Sequence, residues 1–155
     1  MLFRSGPVVV GAVILHPNKT HELLRDSKIM TAQQREIAFA WITQNAWFSF
    51  AVGDVATIER INILQTTKQA MRQSFVNVMA MQSGSVRYLL IDAVPLDIPS
   101  TYLTNGLTVE SFPFGESRSI SIAAASIVAK VVRDTMMQQF ESSFPGYGLI
   151  GRAHV

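Results

Sequence analysis

At 155 residues, with 48% hydrophobic and 15% charged side chains, the chain has the size and apolar content of one globular domain with a real core. It contains no cysteine, which excludes a disulfide framework and any thiolate metal site and fits a reducing, cytoplasmic setting. Net charge is only +2, but nine of the thirteen basic residues are arginine, a choice compatible with phosphate contacts, and no apolar run is long enough to cross a bilayer.

Residues 8–15, VVVGAVIL, are a continuous β-branched run that predicts a strand buried on both faces. His16-Pro17-Asn18-Lys19 ends it, and Asp26-Ser27-Lys28 stands in the polar loop that follows. An ammonium beside a hydroxyl suits a phosphate; a turn with a solvated lysine has the same spacing. Thr31 with Gln34 signals a helix start, and Ile37, Ala40 and Trp41 give that helix an apolar face as far as residue 45. Phe48, Phe50 and Val52 alternate as in a strand. After a turn at residues 54–57, Ile61, Leu64, Met71, Phe75, Val78 and Met79 recur at helical spacing, predicting one long amphipathic helix that ends near residues 82–85. Its methionines read as core filling.

Tyr88-Leu89-Leu90-Ile91-Asp92 reads as a buried strand presenting a carboxylate at its C-terminal end, the edge at which open α/β sheets bind ligands. Pro95 and Pro99 impose an irregular segment, and residues 107–112 form a further short strand. Phe114-Gly115-Glu116-Ser117-Arg118 is a turn carrying a carboxylate and a guanidinium. It leads into residues 119–134, SISIAAASIVAKVVRD, a helix whose small residues require another backbone to approach closely. That helix continues through Met136, Met137 and Phe140 and stops at Pro145-Gly146-Tyr147-Gly148. Strand, helix, strand, helix, strand, strand, helix indicates α/β layering on a central mixed sheet.

Asp92 and Glu116 lie at boundaries that such a sheet can bring to one edge. There they could share a hard cation such as Mg²⁺, which prefers carboxylate oxygens and water, or remain two solvated acids. A two-metal site would need more acids than this pair. No phosphate-binding glycine loop, dinucleotide fingerprint or nucleophile elbow is present. His16, His21 and His154 lack metal-ligand spacing and read as solvated loop residues. Lys130 with Asp134 reads as a surface ion pair on the last helix, and Arg133 as a surface charge.

Taken in order, Asp26-Ser27-Lys28, Asn62-Ile63-Leu64-Gln65, Ala70-Met71-Arg72, Leu90-Ile91-Asp92, the block at residues 119–130, Arg133-Asp134 and Pro145-Gly146-Tyr147-Gly148 resemble ribonuclease HII over residues 6–149. The resemblance implies an α/β, ribonuclease H-like mixed sheet flanked by helices. It implies an endoribonuclease that uses Mg²⁺ or Mn²⁺ to cut the RNA strand of RNA–DNA hybrids and single ribonucleotides embedded in duplex DNA; the chain, if folded, is expected to be a monomer. On the same basis Asp92 and Glu116 are the third and fourth of four metal-binding carboxylates and the catalytic pair, and Ser27, Lys28 and Arg118 are the residues set to meet substrate phosphate. Glu116 stands where the family more often has aspartate, and Phe114 where it has lysine.

Departures concentrate at the two ends. The family's first strand, leading into Asp-Glu-Ala-Gly-Arg-Gly with two further metal ligands, would precede Gly6, and residues 1–5 contain neither acid. Residues 150–155 do not match the family's His-x-Gly-Tyr segment. Both ends read instead as translations of short-read adapter strings, which would make them foreign to the gene. In the family that first strand is central, pairing antiparallel with residues 8–15 and parallel with residues 88–92. The expectation is therefore a sheet with a gap between those strands, a chain of poor stability, and little or no turnover from it alone. A non-catalytic nucleic-acid-binding module and a non-functional translation product are the alternatives.

Overall fold

The computed structural model describes residues 6–82, 84 and 86–143. Among the described residues, four strands and six α-helices follow one another in the order expected from the sequence, two of the helices being short ones not expected and two the halves of a single expected helix. Strand β1, Val8–Leu15, is antiparallel to β2, Ala46–Gly53, in a register that sets Val8 opposite Gly53 and Leu15 opposite Ala46. Helix α1, Ala32–Asn45, joins them. It starts where the sequence places it because Thr31 and Gln34 form a reciprocal capping box, the Thr31 hydroxyl accepting from the Gln34 N–H and the Gln34 side chain accepting from the Thr31 N–H.

The single long helix expected after residue 57 is two helices, α2, Val55–Ile61, and α3, Ile63–Ala80. Asn62 between them has φ of 69°, which ends α2, and its side chain accepts from the Gln65 N–H to cap α3. Hydrophobic spacing runs through both helices and so conceals a break made by one backbone angle. Strand β3, Tyr88–Asp92, is parallel to β4, Thr108–Phe112. The segment between them, irregular on the proline pattern, contains the short helix α4, Ser100–Thr104, begun by Pro99 at its cap. The glycine turn at residue 115 is likewise one turn of helix, α5, Gly115–Arg118. Helix α6, Ile120–Ser143, closes the described part of the chain, and the stop expected at residues 145–148 lies outside it.

Helices α6 and α3 pack on β1 from its two sides. The main core joins Ala38 and Ile42 of α1 to Ala124, Ile127 and Val128 of α6, with Leu24, Met30 and Ala46 around them. The small residues of α6 do what their size implies: a Cβ built on Gly11 of β1 would strike the carbonyl oxygen of Ala125, so strand and helix meet backbone to backbone there.

The sheet is in two halves. β1 pairs with β2 and β3 with β4, and among the described residues no strand joins β1 to β3. This is the gap expected between residues 8–15 and 88–92. A cavity of about 520 Å³ occupies it, lined by both strands, by Met71, Phe75 and Val78 of α3, and by Ser121, Ala125 and Ala129 of α6. The expectation that β1 is buried on both faces is met only in part. Although helices cover it on either side, each of its eight residues is half-buried, because the strand is open along the edge that faces the cavity.

Candidate active site

The polar end of that cavity is where the chemistry gathers, since Asp92, Glu116 and Ser126 all line it. Asp92 is the last residue of β3, and its Oδ1 accepts the Gly115 N–H at 2.8 Å. Gly115 is needed for this approach, because a Cβ there would stand 3.1 Å from Asp92 Oδ1 and 2.7 Å from the Ile122 side chain. Phe114, just before it, takes a left-handed backbone at φ 60° and leaves its ring 81% exposed.

Glu116, in α5, is the hub. Its Oε2 accepts the Ser27 N–H at 3.0 Å and the Ser27 hydroxyl at 3.2 Å, and its Oε1 accepts the Ser126 hydroxyl at 2.9 Å. The Ser27 and Ser126 hydroxyl oxygens lie 2.9 Å apart, so either serine can donate to the other in place of Glu116. The Lys28 ammonium stands 3.8 Å from Glu116 Oε1 with its own side chain 77% exposed, whereas the Glu116 side chain is only 10% exposed. The lysine thus partly neutralises the carboxylate while facing solvent, free to meet a second anion.

The loop that delivers these groups is one turn of 3-10 helix at Ser27–Ile29, and Asp26 caps it by accepting the Lys28 N–H at 2.9 Å. That hydrogen bond, with the Glu116 side chain second and the Lys28 charge also contributing, holds the Asp26 carboxyl below the ordinary carboxylate range against an opposing effect of burial. Asp26 thus shapes the turn that carries Ser27 and Lys28, a role the sequence reading did not give it. Its adjacency to Ser27 and Lys28 was the available signal.

Of the five site residues named from the sequence, the structure gathers Ser27, Lys28 and Glu116 directly and sets Asp92 one hydrogen bond away through Gly115. Arg118 is placed differently. Its guanidinium lies 4.7 Å from the centre of the Phe112 ring, a cation–π contact on the exposed side of α5. Other expectations are corrected by packing. His16 meets Trp47 edge-on and His21 lies against Trp41 while accepting the Leu23 N–H, so neither is a solvated histidine. His154 lies outside the described residues. Arg133, read as a surface charge, is half-buried and donates to the Pro7 carbonyl at 3.3 Å. Lys130 and Asp134 do pair, at 2.9 Å, but Asp134 also holds Arg35 of α1.

The donor set suits a hard cation in kind, since carboxylate and hydroxyl oxygens are the ligands such ions prefer. The acids that line the cavity are Asp92 and Glu116. Among the described residues no group of three acids or histidines is arranged to hold a metal. Nor is any helix among the described residues long and apolar enough to cross a membrane.

The family model for ribonuclease HII matches residues 4–152. Ribonuclease HII of Enterococcus faecalis is 41% identical over 150 residues, covering 96% of this chain and 54% of that protein. Ribonuclease HII of a Geobacter species is 43% identical over 148 residues, covering 93% of this chain and 59% of its own length. The chain thus spans little more than half the length of these curated relatives. Among solved structures, ribonuclease HII of Archaeoglobus fulgidus in complex with PCNA superposes with a TM-score of 0.69 at 21% identity, covering 95% of this chain and 76% of that one. Bst-RNase HIII in complex with Mn²⁺ gives a TM-score of 0.70 at 21% identity, covering 89% of this chain and 50% of that one. Those superpositions establish the fold, and the matches in sequence establish that this chain belongs to the ribonuclease HII family.

Proposed function

We propose that the chain carries the phosphate-facing side and half the metal-binding carboxylates of an endoribonuclease acting on the RNA strand of RNA–DNA hybrids and on single ribonucleotides in duplex DNA. Family membership supports the activity class, and the observation that carries the site assignment is the Lys28–Glu116–Ser27 cluster at the end of β3 beside Asp92. Lys28 neutralises a backbone phosphate. Ser27 and Ser126 fix the Glu116 carboxylate so that it does not rotate away from the cavity, and Gly115 fixes Asp92 in the same way. Asp92 and Glu116 would hold the Mg²⁺ or Mn²⁺ ion, which when bound polarises phosphoryl oxygen and supplies an activated water.

With two carboxylates the chain positions one ion, so it binds substrate without measurable turnover. The mechanism of this class aligns attacking and leaving oxygens with two ions, and losing such alignment costs orders of magnitude in rate. The experiment uses a duplex with one embedded ribonucleotide and an RNA–DNA hybrid, each labelled, with Mn²⁺ present. Binding that weakens with salt and with Lys28→Ala, and no cleavage, is the expected result. Turnover that disappears on Asp92→Asn would contradict the inactivity, and failure to bind either duplex would contradict the substrate class.

A further inference from the structure

Arg35 belongs to α1, outside the cluster just described, yet its side chain is only 12% exposed and each of its contacts reaches toward that cluster. Its Nη1 donates to the Met30 carbonyl at 2.6 Å and to the Ser27 carbonyl at 3.3 Å, the two ends of the loop that carries Lys28. Its Nη2 stands 3.6 Å from Asp134 Oδ2 on α6, and the other oxygen of Asp134 is held by Lys130 at 2.9 Å. One guanidinium thus ties three parts together: α1, the loop at residues 26–30, and the same helix that supplies Ser126 to Glu116.

A planar fork with several donors can bridge two carbonyls and a carboxylate at once, which a single ammonium cannot do with the same geometry. Besides Arg35, the loop is held by the Asp26 cap, by the Ser27 contacts with Glu116 and by the burial of Met30 in the core. Ser27–Ile29 is a single 3-10 turn, and Lys28 and Ile29 are exposed. Ser27 is buried, and its backbone and hydroxyl face Glu116 and Ser126. Held at both carbonyl ends, the turn keeps the Ser27 N–H on Glu116 and keeps Lys28 above it. Released, it would carry both away together.

We propose that Arg35, anchored by Asp134, is a positioning residue that locks the Asp26–Met30 turn so that Ser27 grips Glu116 and Lys28 faces substrate phosphate. The nucleic-acid part rests on the function proposed above; the locking of the turn does not. Two measurements separate them. Amide hydrogen exchange on the free protein reads the turn itself: in Arg35→Met the Ser27 amide is expected to exchange at least about tenfold faster while core amides of α6 keep their rates. An unchanged Ser27 rate would overturn the proposal.

Hybrid binding at several salt concentrations reads the consequence. Arg35→Met should weaken binding as much as Lys28→Ala and lower the salt slope by about one, and the double variant should be no weaker than either single one. A merely structural loss would lower the bound fraction without altering the slope. Additive effects in the double variant, or Arg35→Lys binding like the parent, would overturn the proposal, because Arg35 would then act as a separate charge rather than through the turn. If Arg35→Met does not fold, Asp134→Asn, which keeps the arginine and removes its anchor, is read by the same two criteria. A parent chain that binds no hybrid while the Ser27 amide still responds to Arg35→Met would overturn the substrate reading and leave the lock standing.

Discussion

At the scale of single residues, the site is a set of mutually restrained polar groups. Asp26 is the clearest case, since its ionised form accepts the Lys28 N–H and lies beside the Lys28 charge. A carboxyl held below its ordinary value of 3.8 contributes stability in full above that value and loses it as pH falls through the lower, folded value. Urea midpoints of the parent and of Asp26→Asn should therefore differ near neutral pH and converge as the pH falls through the lowered folded value. A constant difference across that range would show that Asp26 acts by something other than its charge. Ser27, Lys28, Asp92 and Glu116 were legible in the sequence through their resemblance to a known pattern. Arg35 was not, because what gives it a role is contact with the carbonyls of Ser27 and Met30. Spacing along the chain does not encode such contacts.

At the scale of elements, the sequence was informative where a local rule and the tertiary structure agree. The capping box of Thr31 and Gln34 marks the start of α1, and the apolar run at residues 8–15 marks β1. It was uninformative where one backbone angle decides, as at Asn62, whose left-handed turn divides α2 from α3 within an uninterrupted hydrophobic pattern. β1 fits closely on α6, where Gly11 meets the Ala125 carbonyl. Gly11→Ala forces strand and helix apart, and a destabilisation of about 1–3 kcal/mol is expected from overpacking of this kind. Chemical denaturation measures it. A neutral substitution would mean that β1 is free to shift toward the cavity.

At the scale of the whole molecule, the division of the sheet dominates. Among the described residues, β1 and β3 each leave one edge unpaired toward a cavity that Met71, Phe75 and Val78 make apolar on one side. Unpaired backbone groups and apolar edges cost stability and invite pairing with other chains. Amides in the middle of β1 that do not pair with β2 should exchange faster than those that do, and the protein should lose solubility as concentration rises. A cooperative thermal transition from a monomer that stays soluble would contradict this. The family resemblance made the gap legible before the fold was known, and periodicity alone would not have, since each strand reads as complete by itself.

The central claim is that Asp92 and Glu116 together form one hard-cation site at the polar end of that cavity. Titration with Mn²⁺, followed by the loss of the free-ion electron paramagnetic resonance signal, tests it without requiring turnover. The expected result is one ion per chain, with binding abolished by Asp92→Asn and by Glu116→Gln. Binding that survives either substitution, or two ions held by the unaltered chain, would contradict the account.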